Sequence, residues 1–87
     1  MLTFKLFEFG SANGTIYDFS LKDDILPMHV HDDTDNHITI VARGSLRAHG
    51  EGWERILNAG DVVNWEPFQQ HEFIAIEDNT RIVNIRK

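Results

Sequence analysis

The chain has 87 residues, of which 41% are apolar and 25% are charged, with a formal net charge of −6 and no cysteine. This length allows one domain, taken as residues 1–87, and leaves no room for a second folded unit in the chain. The eight Lys and Arg residues are scattered, which argues against nucleic acid as a partner. Without cysteine the chain forms no disulfide and offers no thiolate metal ligand.

The chain also lacks signals for a membrane. No apolar run approaches the roughly 20 residues that a membrane-spanning helix needs. The opening residues MLTFKLFEFG lack the basic flank, continuous apolar stretch and cleavage site of a secretory signal. We therefore expect no membrane association and a cytoplasmic location.

Turn-forming residues interrupt the chain at short intervals, at 10–14, 22–24, 32–36, 44–45, 50–52, 58–60, 66–67 and 78–79. The segments between these turns are rich in Val, Ile, Phe, Thr and Trp, a composition typical of strands. None of them has the period of an amphipathic helix. The pattern predicts an all-β domain of short antiparallel strands, arranged as a sandwich or barrel.

Successive side chains of a strand point to opposite faces, so alternation predicts which residues lie together. Histidines share faces with one another or with small and apolar residues: His29 with His31, His37 with Thr39 and Val41, and His71 with Phe73. Such faces suit the lining of a partly polar cavity. We predict a substrate pocket lined by Thr39, Val41, Phe73 and Gln69. For Val41 and Phe73 the alternative is plain barrel core, and Trp65 is expected in the core.

The faces opposite these histidines carry Ile38, Ile40, Ile74 and Ile76. A small sandwich has few ways to cover both faces of its strands, so we expect a homodimer in which these isoleucines, with the N-terminal strand 3–9, pack against a second copy. The alternative is that both faces are covered between two sheets of one monomer.

Four of the five histidines are concentrated in two places. Three lie in the segment HVHDDTDNH (29–37), and His71 follows GDVVNWEPFQQ. Neutral imidazole is a common ligand of divalent transition metals, so three or four of these rings could surround a cation. The alternative is a set of ordinary histidines that hydrogen-bond to carbonyls or to the neighbouring aspartates. His49 lies apart and is not expected to bind a metal.

The two segments resemble the motifs of a small single-domain cupin. The first cupin motif is His-x-His, a short gap, Glu, six residues and Gly; the second runs from Gly-Asp and two apolar residues to Pro and then His. The matching pieces are His29-Val30-His31, His37 with six residues before Gly44, and Gly60-Asp61-Val62-Val63 through Pro67 to His71. The resemblance covers roughly residues 20–76, and the joint order of the motifs is more specific than either alone.

The chain departs from the cupin pattern in several places. The gap between His31 and His37 is longer than usual, and the glycine expected before the histidine pair is replaced by Asp23 or a neighbour. His37 stands where the family usually has Glu. A shorter gap would put Asp35 at this acidic position, but that choice breaks the six-residue spacing to Gly44.

The resemblance implies an antiparallel jelly-roll barrel with a metal near its wider mouth. The implied ligands are His29, His31, His37 and His71, with Asp35 as the alternative to His37. Iron, nickel, manganese, zinc and copper all accept imidazole, and the sequence does not choose among them.

The function implied by the resemblance is that of a metal-dependent enzyme acting on a small oxygen-bearing organic molecule, of the oxygenase or the isomerase or lyase type. No catalytic residue is assigned. Two alternatives stand beside it: a non-catalytic, metal-assisted small-ligand-binding or sensor module, and a closed structural metal site.

Overall fold

The computed structural model describes residues 1–29, 37–66 and 70–86. Within these ranges the chain consists of strands and turns, and no helix that could cross a membrane is found there. The strands are β1 (Leu2–Phe9), β2 (Ala12–Phe19), β3 (Ile25–His29), β4 (His37–Arg43), β5 (Ser45–Gly50), β6 (Trp53–Asn58), β7 (Val62–Trp65), β8 (His71–Ala75) and β9 (Thr80–Arg86). The predicted all-β class is confirmed.

The strands form two antiparallel sheets, one with the order β1-β2-β9-β4-β7 and the other with the order β3-β8-β5-β6. The chain passes repeatedly from one sheet to the other, as a jelly roll does. The inner faces of the two sheets enclose a core that includes Phe19, Val41, Leu46, Leu57, Trp65, Phe73 and Ile82. The jelly-roll prediction is confirmed, and Trp65 lies in the core as expected.

Gly44 is the corner at which the chain leaves the five-stranded sheet and enters the other. It is the single residue between β4 and β5, and its φ of +78° lies in the left-handed region that favours glycine. A Cβ atom at this position would lie 2.9 Å from the Cα of Thr80 and would overlap the Thr80 hydroxyl. The glycine of the first cupin-like motif is therefore needed for both its conformation and its close approach to β9.

The Gly-Asp of the second motif forms the neighbouring corner, between β6 and β7. The amide of Gly60 donates to the carbonyl of Val41 at 2.8 Å, and the amide of Val41 donates to the carbonyl of Asp61 at 3.0 Å. The amide of Ala59 donates to the carbonyl of Gly44 at 3.0 Å. The glycine of the first motif and the Gly-Asp of the second thus join into one hydrogen-bonded corner, at the opposite end of β4 from His37.

Asp23, at or near the position where cupins are expected to have glycine before the histidine pair, has a φ of +74°. Aspartate tolerates the left-handed region better than most residues with a side chain. Asp23 thus adopts a backbone conformation that glycine adopts most readily.

Gly44→Ala should destabilise the fold much more than Gly52→Ala. Both glycines have a φ of +78°, but a Cβ at Gly52 has no atom within 4 Å, whereas a Cβ at Gly44 meets Thr80. We expect the free energy of unfolding to fall by about 3 kcal/mol or more for Gly44→Ala and by about 1 kcal/mol for Gly52→Ala. Urea denaturation measures both, and equal losses would show that backbone strain alone matters at Gly44.

Candidate functional site

The ends of five strands meet at the end of the sandwich away from the Gly44 corner. β3 ends at His29 and β8 begins at His71, and these two residues are cross-strand partners. β4 begins at His37, which is the partner of Trp65 in β7 and of Arg86 in β9. The fold therefore brings the backbone of three predicted metal ligands to one end of the molecule.

His37 and His71 are buried, with 7% and 1% of their surface exposed to solvent. The ring of His71 stacks on the indole of Trp65, with 4.4 Å between ring centroids and 13° between the planes. It also contacts the ring of Phe73 at 5.4 Å. Because Trp65 and His71 belong to different sheets, this stack joins the two sheets and fixes the plane of the His71 ring.

Of the four predicted ligands, His31 lies outside the described residues, and so does Asp35, the alternative to His37. For His29 the structure describes the backbone and not the side chain. Among the side chains that the structure describes, no group of three or more His, Cys, Asp or Glu is placed to hold a metal ion. The four-histidine site therefore stays a prediction. His49 lies 3.3 Å from a carboxylate oxygen of Glu72, an outward-facing pair on the other sheet.

A chain of hydrogen bonds runs from Trp65 through Thr39 to Asn84. The indole Nε1 of Trp65 donates to Thr39 Oγ1 at 2.8 Å, and Thr39 Oγ1 donates to Asn84 Oδ1 at 2.6 Å. The direction is fixed by chemistry, because an indole nitrogen can only donate and the threonine hydroxyl has one proton to pass on. Asn84 must therefore present its carbonyl oxygen to Thr39, which leaves its NH₂ group directed elsewhere.

A cavity of about 700 Å³ opens beside His37. It is formed by residues of β1, β2, β4 and β9, among them Glu8, Asn13, Tyr17, His37, Asn84 and Arg86. The lining also includes the apolar residues Leu6, Phe7 and Ile85, so polar and apolar groups contribute about equally to its surface. The five-stranded sheet therefore carries an open concavity of mixed polar and apolar character next to the histidine end of the barrel.

The predicted pocket residues Thr39, Val41 and Phe73 are almost fully buried, at 1%, 1% and 0% exposure, and Gln69 lies outside the described residues. Val41 and Phe73 belong to the apolar core, while Thr39 supports Asn84 from below the cavity. Their contact with a ligand stays a prediction. Asn84 and Arg86 were not predicted from the sequence. The signal was present in β9, where Ile82, Asn84 and Arg86 share one face and the residues nearer the mouth are polar.

Burial raises the pKa of the Tyr17 phenol, and the nearby positive charge of Arg86 partly offsets this effect. The phenol therefore remains protonated at neutral pH and is a hydrogen-bond donor to the cavity. The opposing effect of Arg86 indicates that its guanidinium acts electrostatically on this part of the cavity.

Thr39→Val should destabilise the protein although it preserves the shape of the side chain. The substitution leaves the buried indole N–H of Trp65 without its acceptor and removes the donor to Asn84. We expect the free energy of unfolding to fall by about 1–3 kcal/mol. Thr39→Ser is the matched control, because it keeps the hydroxyl and should retain most of the stability. Chemical denaturation followed by tryptophan fluorescence measures both; a Val variant as stable as the Ser variant would contradict the role of this network.

No protein-family model matches the chain, and no curated protein matches it. Solved structures do. An RmlC-like cupin protein from Desulfovibrio desulfuricans superimposes with a TM-score of 0.86 at 18% identity, over 98% of this chain and 80% of that one. KdgF from Halomonas sp. gives a TM-score of 0.84 at 19% identity, over 98% of this chain and 78% of that one. A cupin-2 domain protein from Shewanella frigidimarina gives 0.79 at 20% identity, over 95% and 78%.

Proposed function

We propose, on the premise that this chain has the cupin fold, that it is a metal-binding cupin. In this proposal His29, His31, His37 and His71 hold a divalent transition metal, and the metal binds a small oxygen-bearing organic molecule. The expected chemistry is of the oxygenase or the isomerase or lyase type, in the cytoplasm.

The observation that carries the proposal is the meeting of the histidine-bearing strand ends. His29 and His71 are cross-strand partners, so the backbones of these two residues are neighbours in one sheet. His37 begins a strand of the facing sheet and pairs with Trp65, on which His71 stacks. This arrangement supports a common site for residues that are distant in sequence.

The chemistry of the donor set also fits a transition metal. Neutral imidazole suits iron, nickel, copper, zinc and manganese, and buried rings held by stacking lose little freedom when they bind. When bound, such a metal would act as a Lewis acid that polarises an oxygen of the substrate. The chain's own contribution is to fix the His71 ring against Trp65 and to keep His37 at the edge of an open cavity.

The number of open coordination positions separates this function from its alternatives. A metal with exchangeable water at open positions favours an enzyme or a ligand-binding module, whereas a closed set of four ligands favours a structural site. Turnover of a candidate diketone or hydroxy acid by the metal-loaded protein would favour the enzyme. Binding of these compounds without turnover would favour the sensor module.

The metal proposal predicts a stoichiometric ion that depends on the two motifs. Elemental analysis of protein purified without a metal-affinity tag should find close to one transition metal per chain. His31→Ala and His71→Gln should lose most of it, because each removes one ligand. His49→Gln is the matched control and should retain the metal, since His49 pairs with Glu72 on the outer face. Circular dichroism checks that each variant is folded, and equal trace levels in all four proteins would contradict the metal site.

We also propose that the protein is a homodimer through the outer face of its five-stranded sheet. Of the isoleucines predicted at the interface, Ile38 and Ile40 lie on this sheet, whereas Ile74 lies in β8 of the other sheet and Ile76 directly follows that strand, so the two pairs do not form one surface. The outer face of the five-stranded sheet carries a continuous set of apolar side chains from four neighbouring strands: Ile16, Ile38, Ile40, Val62, Val83 and Ile85. Val62 is 61% exposed, and Ile38 and Ile40 are half-buried. An apolar face of this kind is typical of a surface that is covered by a partner, and a second copy offers the same face.

Ile40→Glu should convert the dimer to a monomer, because it places a charge in the middle of this apolar face. Ile56→Glu is the matched control, since Ile56 is also exposed, at 54%, but lies on the outer face of the other sheet. Light scattering coupled to size-exclusion chromatography measures the mass of each protein. A monomeric wild-type protein, or a dimer lost in Ile56→Glu and kept in Ile40→Glu, would contradict this interface.

A further inference from the structure

The cavity beside His37 has an ordered floor of side chains in cross-strand rows. In the row nearest the mouth, Glu8, Asn13, Arg86 and His37 are successive partners on β1, β2, β9 and β4. In the next row Leu6, Thr15, Asn84 and Thr39 are successive partners on the same four strands, so the β1 side of this row is apolar. Neighbouring strands lie about 4.8 Å apart, so the two charged residues of the first row, Glu8 and Arg86, are separated by roughly two strand spacings.

The cavity presents hydrogen-bond donors on the side of β9. The hydrogen bonds from Trp65 to Thr39 and from Thr39 to Asn84 direct the carbonyl oxygen of Asn84 towards the core. The NH₂ group of Asn84 can therefore donate into the cavity that this residue lines. The Tyr17 phenol keeps its proton, and a guanidinium can only donate. A group that accepts hydrogen bonds from several directions, such as a carboxylate, matches this set.

Arg86 supplies the positive charge for such a group. Within the described part of the chain, no carboxylate forms an ion pair with its guanidinium, whereas Arg81 on the outer face is engaged by Asp18 at 2.7 Å. The charge of Arg86 is felt by Tyr17 on the neighbouring strand. Arg86 is an exposed residue at the mouth of this cavity, and because the protein as a whole carries a net charge of −6, its positive charge is not part of a general basic surface.

Glu8 limits what the far side of the cavity accepts. Its carboxylate lines the same cavity from β1, and a second anionic group placed there would be repelled. A hydroxyl group, by contrast, can donate a hydrogen bond to this carboxylate. The cavity is therefore complementary to a molecule with a carboxylate at one end and a neutral donor at the other.

We propose that this cavity binds a small organic monocarboxylate with a hydroxyl group at its other end, with Arg86 and Asn84 on the carboxylate and Glu8 on the hydroxyl. The site deepens the proposed function and rests on it for its role, because the carboxylate would lie next to His37 and the metal. Arg86 and Glu8 are binding and specificity residues in this arrangement.

The test uses protein that has been freed of metal by dialysis against a chelator. The three probes have equal length: 4-hydroxybutanoate, 4-hydroxybutanamide and succinate. Titration at constant ionic strength, followed by NMR, should give the tightest binding for 4-hydroxybutanoate. Arg86→Gln should weaken its binding by about tenfold or more, since it removes one charge-assisted contact. Arg47→Gln removes the same charge from the outer face of the other sheet and should leave the dissociation constant within about twofold.

Glu8→Gln provides the second arm. It removes the repulsive carboxylate. The ratio of the dissociation constants of succinate and 4-hydroxybutanoate should therefore fall by about fivefold or more. The inference is wrong if the amide binds as tightly as the carboxylate, or if Arg86→Gln and Arg47→Gln behave alike. The metal content of wild-type and Arg86→Gln protein, measured in parallel, separates the two proposals. Binding that depends on Arg86 in a protein that takes up no metal would overturn the metal centre and leave the carboxylate site standing.

Discussion

The indole of Trp65 is the interaction on which the histidine end of the barrel depends. Its face stacks on His71 of the opposite sheet, and its N–H donates to Thr39 of its own sheet. One side chain thus fixes the spacing of the two sheets, the plane of one proposed metal ligand and the direction of the hydrogen-bond relay that ends at Asn84. Because the ring is rigid and nearly buried, these three effects are coupled.

The two ends of the sandwich are stabilised in different ways. At the Gly44 corner, backbone hydrogen bonds to Val41 and Gly44 and the close approach of Thr80 leave no space for a side chain at Gly44. At the histidine end, the stacked side chains of Trp65 and His71 connect the two sheets. Beside them a cavity opens on the five-stranded sheet, lined by residues of β1, β2, β4 and β9. The closed corner keeps β4 in place, so that the other end of the same strand can carry an open site.

The sequence was sufficient for the strands, the jelly roll and the cupin resemblance, because these follow from local alternation and from motif order. Alternation also placed His37, Thr39 and Val41 on one buried face correctly. It could not show which strands are neighbours. β9 lies between β2 and β4, a pairing between distant segments, so the contribution of Asn84 and Arg86 to the cavity was missed. The same limit explains why the hydrogen bond from Thr39 to Asn84 was missed, while the contact of Thr39 with a ligand stays a prediction.

Near the mouth of the cavity, the five-stranded sheet carries polar side chains on its inner face and apolar side chains on its outer face. Near the mouth its inner face carries Asn13, Asn84 and Arg86, while its outer face carries Ile38 and Ile85. Asn13 and Arg86 are exposed at the mouth and Asn84 is hydrogen-bonded to Thr39, so these polar groups cost little stability, whereas apolar groups placed outward gain nothing unless they are covered. A small domain has little stability to spare. The polar residues at the mouth support the proposed ligand in the cavity, and the apolar residues of the outer face support the proposed second copy of the chain.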